Sequence, residues 1–97
     1  MTFVQIVEFR TTDAEGVRRI DEEWRRATEG KRTVRRELIA RDHSNPERYF
    51  AVVFFDSYES AMENSSLPET KAAAEQYLEV TNGPPAFYDL DILEDRA

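Results

Sequence analysis

The chain contains no cysteine. Disulfides, thiol catalysis and thiolate metal sites are therefore excluded. It contains one histidine, His43. A protein metal site needs about three ligands, so no metal centre is expected from a lone imidazole in a polar turn. Glycine is scarce: three residues, none clustered, which leaves no phosphate-cradling loop. Neither a G-x-S-x-G nor an H-E-x-x-H pattern is present. No apolar run approaches about 18 residues, so no membrane span is expected. The opening segment MTFVQIVEF lacks a basic region and runs straight into apolar alternation. It predicts no signal peptide and a cytoplasmic, bacterial-type protein. Basic residues are also in deficit: 13 against 20 acidic ones, for a net charge of −7. Nucleic acid and anionic membranes both require clustered Lys and Arg, so neither is an expected partner.

What remains is a short chain dense in strand and helix signals. Its 97 residues predict one domain, residues 1–97. A domain of this size buries only about 60–65% of its unfolded surface, so a second copy would add useful stability.

Residues 2–10 (TFVQIVEFR) read as a strand. Thr12 and Glu15 have capping-box spacing, and Val17, Ile20, Trp24 and Ala27 then recur at helical intervals. Gly30 closes that helix. Residues 33–42 and 49–56 form two strands around the Asn45-Pro46 turn, a hairpin. Asp56 and Glu59 cap a short helix reaching about Asn64. Ser66, Pro68 and Glu69 restart it, with Pro68 in the first turn, where a missing N–H costs nothing. Ala74, Tyr77, Leu78 and Thr81 share one face of the restarted helix. Asn82-Gly83-Pro84-Pro85 stops it. Residues 86–94 form the last strand.

The predicted fold is α+β: a ferredoxin-like βαββαβ with a four-stranded antiparallel sheet in order 4-1-3-2 and a broken second helix. Alternation sorts the strand residues into two sets. Val4, Ile6, Val34, Leu38, Ala40, Phe50, Val52, Phe54, Tyr88, Leu90 and Ile92 are nearly all apolar, and are assigned to the helix-covered face. The mixed set contains Phe3, Val7, Phe9, Ala51, Val53 and Phe55, which would then be left open. A patch of that size marks an interface, and the expected partner is a second copy in a two-fold homodimer.

Candidate site residues each carry two readings. Trp24 is a core residue with one acceptor for its indole N–H, or the wall of a pocket. Asn64 is a helix-ending residue, or a hydrogen-bonding group in that pocket. Arg35, Glu37 and Arg41 suit cross-strand or intersubunit ion pairs with Asp89 and Asp91, and Arg35 alone among them is also a candidate ligand contact.

The run Ser57-Tyr58-Glu59-Ser60-Ala61-Met62-Glu63-Asn64-Ser65-Ser66-Leu67-Pro68 resembles the strand–helix–break segment of the dimeric α/β-barrel proteins related to the antibiotic-biosynthesis monooxygenases. The β-α-β-β-α-β order extends the resemblance over nearly the whole chain. It implies two copies packing as a dimeric α/β barrel. It also implies a monooxygenase that needs no metal, flavin or other cofactor and acts on an electron-rich aromatic small molecule. Asn64, Trp24 and Tyr58 would be its catalytic residues, and Gln5, Arg35 and Tyr77 its substrate-binding residues. The alternatives are a non-catalytic homodimer that binds a small apolar or aromatic ligand or serves as a scaffold, and a haem-binding or haem-degrading protein. Many relatives carry His where this chain has Asn64, and Asn cannot replace an iron-ligating imidazole.

Overall fold

A computed structural model describes residues 2–97. The chain runs β1 (Phe3–Arg10), α1 (Ala14–Ala27), β2 (Arg36–Arg41), β3 (Arg48–Phe55), α2 (Tyr58–Ser66), α3 (Pro68–Val80) and β4 (Ala86–Asp91). The strands form one antiparallel sheet in order β2-β3-β1-β4. This is the predicted βαββαβ arrangement with its second helix broken, read from the opposite edge. Apolar β1 and β3 take the centre, and the charged strands take the edges.

The helix boundaries shift slightly from the sequence reading, for local reasons. Asp13, not Thr12, caps α1: its Oδ1 accepts from the Gly16 N–H at 2.9 Å. Thr11 is buried beneath that turn. Its Oγ1 accepts from the Asp13 N–H (2.9 Å) and donates to the Val80 carbonyl (2.6 Å), tying the start of α1 to the end of α3. Ser57, not Asp56, caps α2 in a reciprocal box with Ser60. Between α2 and α3 no side chain caps. Leu67 is extended (φ −62°, ψ 134°), the conformation forced on a residue before proline, and Pro68 starts α3 at its first position. β2 starts at Arg36 rather than at 33, because Thr33 turns aside to donate to the Ser60 carbonyl at 2.6 Å.

The assignment of sheet faces from the sequence is overturned. The buried cluster of Phe3, Phe55 and Ala61 places Phe3 and Phe55 beneath α2, with Val53 and Val34 packed against it. The covered face is therefore the mixed one. The proposed open patch of Phe3, Val7, Phe9, Ala51, Val53 and Phe55 looks toward the helices, and Phe3 and Phe55 are its most deeply buried members. The open face carries three cross-strand rows: Arg36, Phe54, Val4, Leu90; then Leu38, Val52, Ile6, Tyr88; then Ala40, Phe50, Glu8, Ala86. Alternation separates two sets of residues, but it does not say which set lies under the helices. Apolar richness was the criterion, and here it points to the other side.

The helices do not sit flat on the sheet. Among the described residues, no Cα of α1 or α3 comes within 8 Å of a strand Cα, whereas α2 does approach β1 and β3. α1 and α3 pack on one another instead. The sheet, the short α2 at one end and the α1–α3 pair therefore enclose a space.

Candidate functional site

That space is a cavity of about 470 Å³. Its floor is the mixed sheet face, including Gln5, Val7, Glu37, Ala51 and Val53. Val17, Asp21 and Trp24 of α1 and Ala73, Ala74 and Tyr77 of α3 form the roof, and Asn64 of α2 lines it as well. Ile39, Leu78 and Phe87 also line it and are 52%, 60% and 61% exposed, so the cavity opens through an apolar mouth.

The predicted site residues divide into two groups. Trp24, Asn64, Gln5 and Tyr77 all line the cavity. Tyr58 does not. It lies half exposed on the outside, edge-on to Phe3 with ring centroids 5.6 Å apart. Arg35 is absent from the lining too: its guanidinium reaches across the surface to Asp56 (Nε–Oδ2 2.8 Å) and holds that carboxyl below its ordinary range. Within one chain, the expected ion pairs of Arg35 and Arg41 with Asp89 or Asp91 do not form among the described residues. β2 and β4 are opposite edges of the sheet, too far apart within one chain. Asp89 instead accepts from Gln5 Nε2 at 3.0 Å.

The Trp24 indole is spoken for. Its Nε1 donates to Thr70 Oγ1 at 2.9 Å, bridging α1 to α3. Trp24 is thus a wall of the cavity and a tie across its roof. Asn64 has no such engagement. It is buried, 6% exposed, and its Oδ1 has no hydrogen-bond partner. Nor does it end its helix in a left-handed turn, since among the described residues only Gly30 and Gly83 have positive φ. An unpaired buried carbonyl costs about 1–3 kcal/mol, so its retention calls for an explanation.

Sequence reasoning missed the most polar part of the wall. Arg25 Nη2 donates to Glu37 Oε1 at 2.5 Å, and Arg25 Nε donates to Asp21 Oδ2 at 3.2 Å. One guanidinium thus holds two carboxylates, one from α1 and one from β2. Burial pushes the Glu37 carboxyl above its ordinary range; nearby Asp21 adds to the shift and Arg25 opposes it. Tyr77, close to the same charges, is kept neutral: burial raises its phenol, with Asp21 and Glu37 contributing. The signal available in the sequence was the i, i+4 spacing of Asp21 and Arg25 beside Trp24. Nothing local tied that pair to position 37. Among the described residues, no group of three or more His, Cys, Asp or Glu is placed to hold a metal ion, and no helix is long and apolar enough to cross a membrane.

No protein-family model matches the chain, and no curated protein matches it. Solved structures do. Two proteins named "putative antibiotic biosynthesis monooxygenase" superpose with TM-scores of 0.79. The one from Nitrosomonas europaea is 12% identical over 95% of this chain and 90% of its own. That from Caulobacter crescentus is 13% identical over 96% and 92%. Rv0793 from Mycobacterium tuberculosis matches with a TM-score of 0.80 at 14% identity, over the full length of both chains. At such identities the likeness is one of fold. The chain thus has the fold of the antibiotic-biosynthesis-monooxygenase-like proteins, the group that its residues 57–68 resemble.

Proposed function

We propose that this protein is a cofactor-independent monooxygenase of the antibiotic-biosynthesis type, acting on an electron-rich aromatic small molecule in the cavity between helices and sheet. The observation that carries this reading is the cavity itself: about 470 Å³, walled mainly by apolar side chains, with its polar groups confined to a few positions. Binding pockets of small molecules have this size and character. For a substrate with a CH₂ group activated by a neighbouring phenol, the overall reaction is R₂CH₂ + O₂ → R₂C=O + H₂O. The substrate supplies all the electrons. The protein's contributions are orientation and exclusion of water around the developing anion. Val7, Ala51 and Trp24 supply the apolar walls, and Gln5, Asn64 and Glu37 the hydrogen-bonding groups.

The working unit in this reading is a homodimer closed through the apolar sheet face. Leu38, Tyr88 and Leu90 are 40–45% exposed there, beside Ile6, Val52 and Phe54. A face so apolar and so large invites coverage, and a second copy offers a matching one. Closing two such sheets together gives the dimeric α/β barrel.

Oxygen consumption with a panel of hydroxylated polycyclic aromatics and quinols tests the reaction. Uptake should exceed the spontaneous rate with at least one substrate, and Asn64→Ala should reduce it. If wild type, variant and buffer give equal rates across the panel, the enzyme reading fails. Retention of an aromatic ligand without oxygen uptake would instead identify a binding protein. The engagement of the Trp24 N–H by Thr70 is the observation that favours this second reading, since it removes one donor from any substrate anion.

A further inference from the structure

We propose that Glu37 is the proton acceptor of the cavity, and that the ligand it serves is a neutral hydroxylated aromatic rather than an anion. This rests on the reading of the cavity as an aromatic-binding site.

The geometry supplies the argument. Glu37 and Asp21 both line the cavity, with side chains 11% and 20% exposed, while Arg25 stands outside the lining. The single guanidinium engages one oxygen of each carboxylate from behind. A ligand inside therefore meets acceptors, not the cation. Two carboxylates against one guanidinium leave a formal charge of −1 at this wall. The polar groups that face it from the neighbouring elements are neutral or already engaged. From α3 comes the neutral Tyr77 phenol. Across Val53 on the floor lies Gln5, whose amide is held by Asp89. Arg18 at the cavity edge is engaged by Glu15 and Glu22. Among the described residues that line the cavity, Arg18 is the one cation and it is already paired, while Arg41, further along the same β2 face, stands outside the lining; an anion at this wall would meet like charge in a low-dielectric space.

A hydroxyl donor has the opposite experience. It satisfies a carboxylate that Arg25 contacts at Oε1 alone. Asn64, buried in the same cavity with an unpartnered Oδ1, gives an independent sign that hydrogen-bond donors are expected there. The step is a simple proton transfer. The aryl O–H bond breaks, its electron pair stays on the aryl oxygen, and the proton forms an O–H bond on Glu37. The net charge of the site does not change. Burial makes Glu37 a stronger base than a solvated carboxylate, which suits a proton acceptor working near neutral pH.

The test uses para-nitrophenol, whose protonation state is visible in its absorbance. Wild-type protein should bind the neutral phenol, with affinity falling about tenfold or more as pH rises through the phenol's own titration, since the anion is repelled. In Glu37→Gln that dependence should largely collapse. A merely structural role for Glu37 would lower affinity equally at every pH. Asp21→Asn is the second variant, in case Glu37→Gln folds poorly. It removes a charge that raises Glu37, so the acidic limb of the rate profile, where Glu37 must lose its proton, should move to lower pH. Where oxygen uptake is found, Glu37→Gln should reduce it on the order of a hundredfold and abolish that limb. Binding with an unchanged pH dependence in Glu37→Gln overturns the proposal, and so does failure of the phenol to bind wild type. Glu37-dependent binding without any oxygen uptake would leave this proposal standing and remove the monooxygenase reading. Oxygen uptake indifferent to Glu37→Gln would do the reverse.

Discussion

Leu38 and Ile39 are consecutive in β2, both apolar and both about half exposed, at 40% and 52%. They belong to opposite faces of the sheet. Leu38 sits in the row of Val52, Ile6 and Tyr88 on the open side. Ile39 lines the cavity mouth under the helices. The open face is the more apolar of the two, and the covered face holds the carboxylate, the amides and the aromatic walls. In a self-sufficient domain the richer apolar face would turn inward. Here the helices stand off the sheet to leave a cavity, so the face beneath them lines that cavity and tolerates polar groups. The face without helices carries the apolar rows that the proposed homodimer would bury.

That comparison is broken most decisively by placing one charge on each side. Leu38→Asp should weaken a homodimer by roughly 3–5 kcal/mol, because it leaves an uncompensated charge in the interface. This corresponds to a dissociation constant raised by about two to four orders of magnitude. Ile39→Asp, one residue away, should leave the dimer intact and act on ligand entry. Light scattering across a dilution series reads both. If the two variants behave alike, exposure in the single chain was all that mattered, and the division between the faces is wrong.

The fold was legible in the sequence because its signals are local. Period-two runs gave four strands, and Pro68 and Gly83 punctuated the helices at the right places. The placement of residues 3–9 and 49–55 at the sheet centre came from the ferredoxin-like strand order, which their apolar composition fits. The faces were not legible, since alternation in Phe50–Phe55 is compatible with either orientation. Of the six candidate site residues, four line the cavity and two, Tyr58 and Arg35, do not. Periodicity put Trp24 and Tyr77 on the apolar faces of their helices, but their site roles, like those of Asn64 and Gln5, came through the family resemblance. Tyr58, the first residue of α2 after the Ser57 cap, packs its ring edge-on to Phe3 and lies half exposed, away from the cavity lining. The Asp21–Arg25–Glu37 cluster was unreadable for a different reason. It joins α1 to β2 across a loop, and nothing in the spacing of 21, 25 and 37 forecasts that one guanidinium will span both carboxylates.

A smaller effect sharpens the contrast from inside the cavity. Asn64 presents a buried, unpaired carbonyl oxygen in the cavity wall. Asn64→Leu replaces it with an apolar group of similar size. The folded state should gain about 1 kcal/mol by shedding the unsatisfied group. For a domain of this length that is a rise in Tm of about 4–8 °C. Affinity for a hydroxylated aromatic should fall in the same variant. A stabilised protein with unchanged affinity would show that the amide is a packing accident and not a ligand contact.

The smallest expected effect concerns how the roof is held away from the floor. α1 and α3 keep the cavity open while bonded to each other, and the Trp24 to Thr70 hydrogen bond at 2.9 Å is one of the ties between them. Trp24→Phe removes the donor and Thr70→Val the acceptor. Each change should cost about 1 kcal/mol, with the orphaned partner adding to either single loss. The double variant should therefore cost less than the sum of the singles, by about 0.5–1.5 kcal/mol in denaturant unfolding. Strict additivity would mean that Trp24 contributes only bulk. The roof would then rest on the apolar α1–α3 contact alone, and the indole N–H would be free for a ligand after all.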